Sequence, residues 1–214
     1  MIFKKKRKRD LYFKASKLAL DNSRLICDEA QFLIDKNHYA RGFALSIISL
    51  EESAKSFLLR LISLDLVYED KTMKFVRNHE SKLQQSSQIL SLSPKLIQAF
   101  VGLAQMAQDA GYIKTEIEIP KNYHEKIKQL EEITQMVAKY HNKKNDSLYV
   151  DVREGRIINP NEITKKEQAS TIAEMADMQI DIVEIAHKLD DSKCLEIWKS
   201  PYVSMLKIDH LLKS

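Results

Sequence analysis

The stretch Gly42–Leu64, GFALSIISLEESAKSFLLRLISL, decides the fold, because it reads as a core helix with three charges set in its middle. At helical spacing Phe43, Ile47, Leu50, Ala54, Phe57, Leu61 and Leu64 form one continuous apolar seam. The adjoining stripe runs Ala44, Ile48, Glu51, Lys55, Leu58 and Ile62, so Glu51 and Lys55 interrupt an otherwise apolar surface. As an ordinary i,i+4 pair on a solvated edge they would contribute about 0.2–0.5 kcal/mol. Hemmed by Ile48 and Leu58 they would instead be partly desolvated, which is unfavourable unless further partners satisfy them. Those partners have to come from elsewhere in the chain.

Helical periodicity extends outward in both directions, and four glycines and four prolines in 214 residues leave it few interruptions. A first helix is predicted over about 11–35, with Leu11, Ala15, Leu18, Leu25 and Leu33 as its apolar positions and Asn22 on the same face. It ends in the polar turn Lys36, Asn37, His38. A third helix over about 72–92 puts Phe75, Val76, His79, Leu83 and Leu90 on one side, with Lys82 beside His79. Ser93 and Pro94 open a fourth that stops near Gly111, and after the connection 112–121 Asn122 caps a fifth running to about Asn145. Residues 148–158 alternate and contain the turn Arg153, Glu154, Gly155, Arg156, the pattern of a short hairpin or ordered loop. Thr164 and Glu167 have capping-box spacing ahead of a long helix to about Leu189, and Ser200 and Pro201 open a last short one. The expected fold is all-α, a helical bundle with one small irregular segment near 148–158. A length of 214 residues gives one domain, 11–214, behind a basic amino-terminal arm, 1–10.

Charge narrows the function classes. Lys4, Lys5, Lys6, Arg7, Lys8 and Arg9 supply six positive charges against a formal net charge of +4, so the remaining body is slightly acidic. The arm is either a solvated tail or an electrostatic contact for nucleic acid or an anionic surface. No apolar segment follows it, as a secretory signal would require, and no apolar run reaches membrane-spanning length. Cys27 and Cys194 lie far apart with no metal-ligand spacing around them. A cytoplasmic protein without a membrane segment is expected. No internal repeat, Gly-rich phosphate loop or nucleophile elbow is present.

Three further groups of residues carry the chemistry: Tyr39, Ala40 with Glu51, Glu52, Ala54, Lys55 in the second helix; His79 and Lys82 in the third; and Leu148, Tyr149, Val150, Asp151 after the fifth. In that order they resemble the AbiV type of bacterial abortive-infection protein, over about 11–186. That family belongs to the HEPN superfamily of all-helical domains, many of which are ribonuclease toxins in phage defence. The resemblance implies a HEPN-like bundle, a homodimer, and an effector that limits phage growth at the cost of the infected cell by acting on RNA or the ribosome.

Active HEPN ribonucleases carry an arginine, often followed by asparagine, and a histidine four to six positions on. Lys144, Asn145, Asp146, Ser147, Leu148, Tyr149 has this frame with lysine and tyrosine in those two places. Lysine neutralises a phosphate as a point charge without the bidentate fork. A phenol loses its proton near pH ~10, against ~6.5 for imidazole, so it makes a poor general base. His79 is the leading replacement for the missing histidine; the alternative is a satisfied core residue. His141, one turn before Lys144, reads as a helix-end cation, and His187 shows no constellation.

The candidate catalytic residues are Glu51, Lys55, His79, Lys144, Asn145 and Tyr149, with Glu52, Lys82 and Asp151 expected to bind substrate. Metal ligation is not expected, since Glu51 and Glu52 are followed by Ala54 and Lys55 rather than by histidine, and no cofactor motif is present. Two function classes stay open: a metal-independent endoribonuclease with a degenerate motif, and a non-catalytic module that binds a phage protein or a ribosomal partner. For a homodimer, the small-residue stripe Ser46, Ser49, Ser53, Ser56 would permit close contact between helices.

Overall fold

The computed structural model describes residues 2–90, 123–188 and 191–192. The chain runs α1 Ile2–Asp35, α2 Tyr39–Ser63, α3 Glu69–Arg77, α4 His79–Leu90, α5 Tyr123–Val137, α6 Tyr140–Asp146, β1 Asp151–Arg153, β2 Arg156–Ile158, α7 Pro160–Ile163 and α8 Lys166–Lys188. Among the described residues the fold is all-α apart from that two-stranded hairpin. The expected helix opened by Ser93 and Pro94, the connection 112–121, Cys194 and the helix opened by Ser200 and Pro201 lie outside the described residues.

The quoted stretch forms the centre of the bundle. Phe43, Ile47, Leu50, Ala54, Leu58 and Leu61 are all but inaccessible, and α1, α4 and α8 pack around them. Both ends of the α1–α2 pair close in the same way. Asn37 and Asp65 take positive φ of 63° and 60°, and the amides of His38 and Leu66 return to the carbonyls of Leu33 and Leu61 at 2.8 and 3.1 Å. This is a Schellman-type stop, supplied by asparagine and aspartate in place of glycine.

Four sequence expectations are corrected here. The face α1 buries is Ser16, Ala19, Leu20, Ser23, Cys27, Ala30 and Ile34, whereas Leu11, Leu18 and Leu25 point outward. Small residues let the two helices approach closely: a Cβ on Gly42 would sit 2.5 Å from Ile34 Cγ1 and 3.0 Å from the Ala30 carbonyl oxygen. The single expected helix 72–92 is two, broken at Asn78, whose extended backbone lets its side chain accept from the Ser81 amide at 2.9 Å and so cap α4. The expected fifth helix is likewise interrupted, at 138–139, giving α5 and α6. Thr164 does not begin the long helix as a capping box; its hydroxyl lies 3.0 Å from Ser147 Oγ, and the cap with proline at the first turn belongs to Asn159 and Pro160 of α7.

The basic run is an amino-terminal extension of α1 rather than an irregular tail. Lys8 pairs with Glu69, Arg9 Nε donates to the Ser63 carbonyl at 2.8 Å, and Tyr12 donates to Glu69 at 2.6 Å. Burial, reinforced by Glu69, pushes the Tyr12 phenol up to about 12.

The expected hairpin is present. Val152 faces Ile157 in register, and Glu154 and Gly155 both take positive φ, 50° and 74°, the geometry of a two-residue type I′ turn.

The serine stripe of α2 is used within the protomer. Ser23 and Ser49 each donate to the other's carbonyl, at 2.9 and 2.8 Å, and Ser56 donates to the Ser16 carbonyl at 2.8 Å. Ser53 Oγ accepts from Gln179 at 2.7 Å, and Ser46 returns its proton to the Gly42 carbonyl at 2.9 Å. All four serines are fully buried, so the close contact they permit is with α1 and α8 of the same chain.

Candidate functional site

The site is built from the α2 backbone outward. The Leu50 carbonyl accepts from Gln179 of α8 at 2.9 Å and from Ser86 of α4 at 3.0 Å, which pins three helices together one residue before Glu51. Opposite, the edge-on pair of Phe43 and Tyr140, with ring centroids 5.4 Å apart, holds the start of α6 against α2. At the far end of α6, Ser147 donates to the Lys143 carbonyl at 2.8 Å and meets Thr164. Glu51 therefore projects into the junction of α2, α4 and α6.

Glu51 is only 2% exposed and is held from three sides. Lys144 Nζ donates to Oε1 at 2.7 Å, Lys82 Nζ lies 3.5 Å from Oε2, and His79 Nδ1 contacts Oε2 directly. Both lysines are nearly as buried as the carboxylate, which accounts for a charge inside an apolar stripe. The partner is not Lys55. Lys55 pairs with Glu52 at 2.9 Å, where Asn22 also approaches Glu52 at 3.5 Å, on the more open side of α2. The i,i+3 and i,i+4 spacings are both within reach on a helix, and packing chose the first because Glu51 is drawn inward.

His79 is different from the rest of the cluster, because its side chain remains 57% exposed. It sits at the first position of α4, immediately after the Asn78 cap, so the backbone break that periodicity did not foresee is what presents the ring at the surface. With Nδ1 donating to Glu51, the ring is oriented and its tautomer set, leaving Nε2 as the acceptor. Beside it stands His141, with ring centroids 6.2 Å apart and planes inclined by 27°. The His141 Nδ1 is buried without a hydrogen-bond partner. His141 is thus a neighbour of His79 rather than only a helix-end cation, and its spacing of three residues from Lys144, which grips Glu51, is the signal that the sequence carries for it.

The structure thus brings together Glu51, His79, Lys82 and Lys144, adds His141, and leaves out Lys55, Glu52, Asn145, Tyr149 and Asp151. Lys144 faces inward to Glu51 rather than outward as an open phosphate ligand. Asn145 is exposed, and its carbonyl accepts from the Tyr149 amide at 3.1 Å. The Tyr149 side chain is 66% exposed and is not among the groups that hold Glu51. Asp151, on the exposed hairpin, is held below the usual carboxylate range by the Val152 amide and by Arg153. Among the described residues no group of three His, Cys, Asp and Glu side chains is arranged to hold a metal ion.

A third histidine, His187 of α8, is half-buried against Phe13 of α1 and Ser56 of α2. The Ser56 hydroxyl is already donating to Ser16, so His187 Nε2 donates to Ser56 Oγ across 3.0 Å, and the buried Nδ1 has no partner. Burial first, then the nearby Arg60 and Lys17 charges, lower its pKa to about 4. A protonated ring would bury an N–H without an acceptor, so the geometry and the shift agree.

No described helix is long and apolar enough to cross a membrane. A family model described as AbiV, within the HEPN group, matches residues 11–181. No curated protein and no solved structure matches the chain.

Proposed function

This chain belongs to the AbiV family of HEPN proteins, and from that membership and the Glu51–His79 geometry we propose that it restricts phage growth by acting on RNA or on translation in the infected cell. The observation that carries this reading is a buried carboxylate gripping an exposed imidazole. Two ammonium groups against one carboxylate leave a net positive charge behind His79, a suitable setting for a phosphodiester.

In this reading the protein is a metal-independent endoribonuclease in which His79, not Tyr149, serves as base. His79 Nε2 takes the proton of a ribose 2′-hydroxyl as that oxygen attacks the adjacent phosphorus. The P–O5′ bond breaks, a 2′,3′-cyclic phosphate forms, and the leaving 5′-oxygen takes a proton from solvent. Glu51 orients the ring and Lys144 and Lys82 hold Glu51, while the His141 ring walls the site on its other side. Lys55, Glu52, Asn145, Tyr149 and Asp151 could join only around the rim. The protein acts in the cytoplasm as a homodimer, with a phage protein as its trigger.

The test is incubation of the full-length protein with total cellular RNA in the presence of a chelator, followed by analysis of the new ends. Cleavage leaving 2′,3′-cyclic phosphates, lost in a folded His79→Ala variant together with its toxicity on expression, is the expected result. A folded His79→Ala protein that cleaves and poisons as before would overturn the site.

A second reading has its own observation in favour. Lys144 is committed to Glu51 and Tyr149 stands exposed, so the inherited catalytic frame is not assembled. In that case the protein is a HEPN-like module that binds a phage or ribosomal partner and cleaves nothing. Cleavage that depends on His79 would exclude it.

A further inference from the structure

Four large apolar side chains stand outward along α1: Leu11, Leu18, Leu25 and Phe32, each about three-fifths exposed. They are spaced seven residues apart, so they form a single line about 32 Å long that drifts slowly in the left-handed sense of a supercoiled pair. The opposite face of α1 is already buried against α2 and α8. Isolated exposed leucines need no explanation, but a line of four exposes on the order of 400–500 Å² of apolar surface, the upper part of the range for a monomer's largest patch.

The charges flanking this line are distributed unevenly along the helix. Lys14 and Lys17 lie toward the amino-terminal end, whereas Asp21, Asp28, Glu29 and Asp35 lie in the second half, all exposed. Arg24 does not offset them, because it is engaged by Asp177, Asp181 and Glu184 of α8. Two copies of α1 laid parallel would set Asp28 against the partner's Glu29 and leave Lys14 opposite the partner's Ala15, without a counter-charge. Laid antiparallel about an axis between Asp21 and Asn22, Leu11 meets the partner's Phe32, Leu18 meets the partner's Leu25, and Lys14 meets the partner's Asp28, which lies on the same flank of the line. Apolar register and charge complementarity select the same arrangement.

We infer that the outward face of α1 is the surface through which two copies of this chain associate, antiparallel and with two-fold symmetry. The inference rests on the homodimer reading above and names its interface, in place of the serine stripe that the fold consumes internally. The four apolar side chains supply about half of the ~800 Å² per partner that a standard interface buries, and the charged flanks supply its rim.

Sedimentation of the full chain over a wide concentration range tests it. Leu18→Glu and Leu25→Glu replace exposed residues, so the variants fold, and each should raise the dimer Kd by about 100-fold or more. Lys14→Glu and Asp28→Lys should each weaken the dimer, and the two together should restore it. A mixture of Leu18→Cys and Leu25→Cys proteins should cross-link on oxidation where neither does alone. A dimer indifferent to Leu18→Glu and Leu25→Glu would leave the homodimer reading standing and overturn this surface. Self-linking of Leu18→Cys alone would overturn the antiparallel arrangement. A monomer at every concentration would overturn both readings and give the stripe to another occupant.

Discussion

Replacing Glu51 by alanine removes the single anion from a pocket that holds two cations. Lys82 and Lys144 are each about 6% exposed, and Lys144 loses a charge-assisted bond of 2.7 Å. His79 can turn to solvent, but the two ammonium groups are enclosed by α2, α4 and α6. Removing one partner of a buried ion pair costs about 3–5 kcal/mol, because an uncompensated charge stays behind. A domain of this kind is stable by ~5–15 kcal/mol, so the loss is about a fifth or more of the whole. With a urea dependence of ~2–3 kcal/mol per molar for a chain of this size, the unfolding midpoint falls by about 1–2.5 M. Glu52→Ala, one residue along, breaks only the half-open pair with Lys55 and should cost less than ~1 kcal/mol. Converting the cluster to Glu51→Leu, Lys82→Met and Lys144→Met together should recover most of the stability, since apolar groups of similar volume replace a buried ionic group without penalty. Far-ultraviolet circular dichroism against urea measures all three proteins. A Glu51→Ala midpoint within ~0.3 M of the parent would refute the reasoning, for it would mean that the lysines regain water at little cost.

Two other perturbations follow from the packing. Gly42→Ala should destabilise the protein by about 1–3 kcal/mol by the same urea assay, because the new Cβ meets Ile34 and the immovable carbonyl of Ala30 at the α1–α2 crossing. His187 gives a pH dependence. Its folded pKa is lowered to about 4, whereas the unfolded imidazole titrates near ~6.5, so the stability due to its neutral form is complete above ~6.5 and is lost as pH falls from there toward 4. A His187→Leu variant should therefore show a shallower loss of stability between pH 7 and 4.5 than the parent, and parallel curves would remove His187 from the acid response.

Much of the architecture is legible in residue order alone. Gly42–Leu64 declares the central helix because large side chains at 3.6-residue spacing leave no other way to bury them, and residues 148–158 declare the hairpin because Glu154-Gly155 supplies a turn with two positive φ values. Glu51, His79 and Lys82 were legible as residue types out of place, a charge amid apolar neighbours and a histidine beside a lysine, whereas Lys144 stood out only through the resemblance of its segment to the HEPN frame. What the sequence alone determined was that Glu51 required partners and that the chain would build a helical bundle. Which partners, and which faces, only the tertiary structure decided. Glu51 had Lys55 one turn away and took Lys144 from 93 residues away, because burial between α2, α4 and α6 outweighs helical proximity. α1 buried its serines, alanines and cysteine and turned its leucines outward, because close approach to α2 at Gly42 and paired serine-to-carbonyl bonds reward small residues that carry almost no hydrophobic signal. His79 came to the surface because Asn78 broke a helix that periodicity drew as continuous, and no periodic pattern records a break whose cause is a side chain capping the next turn.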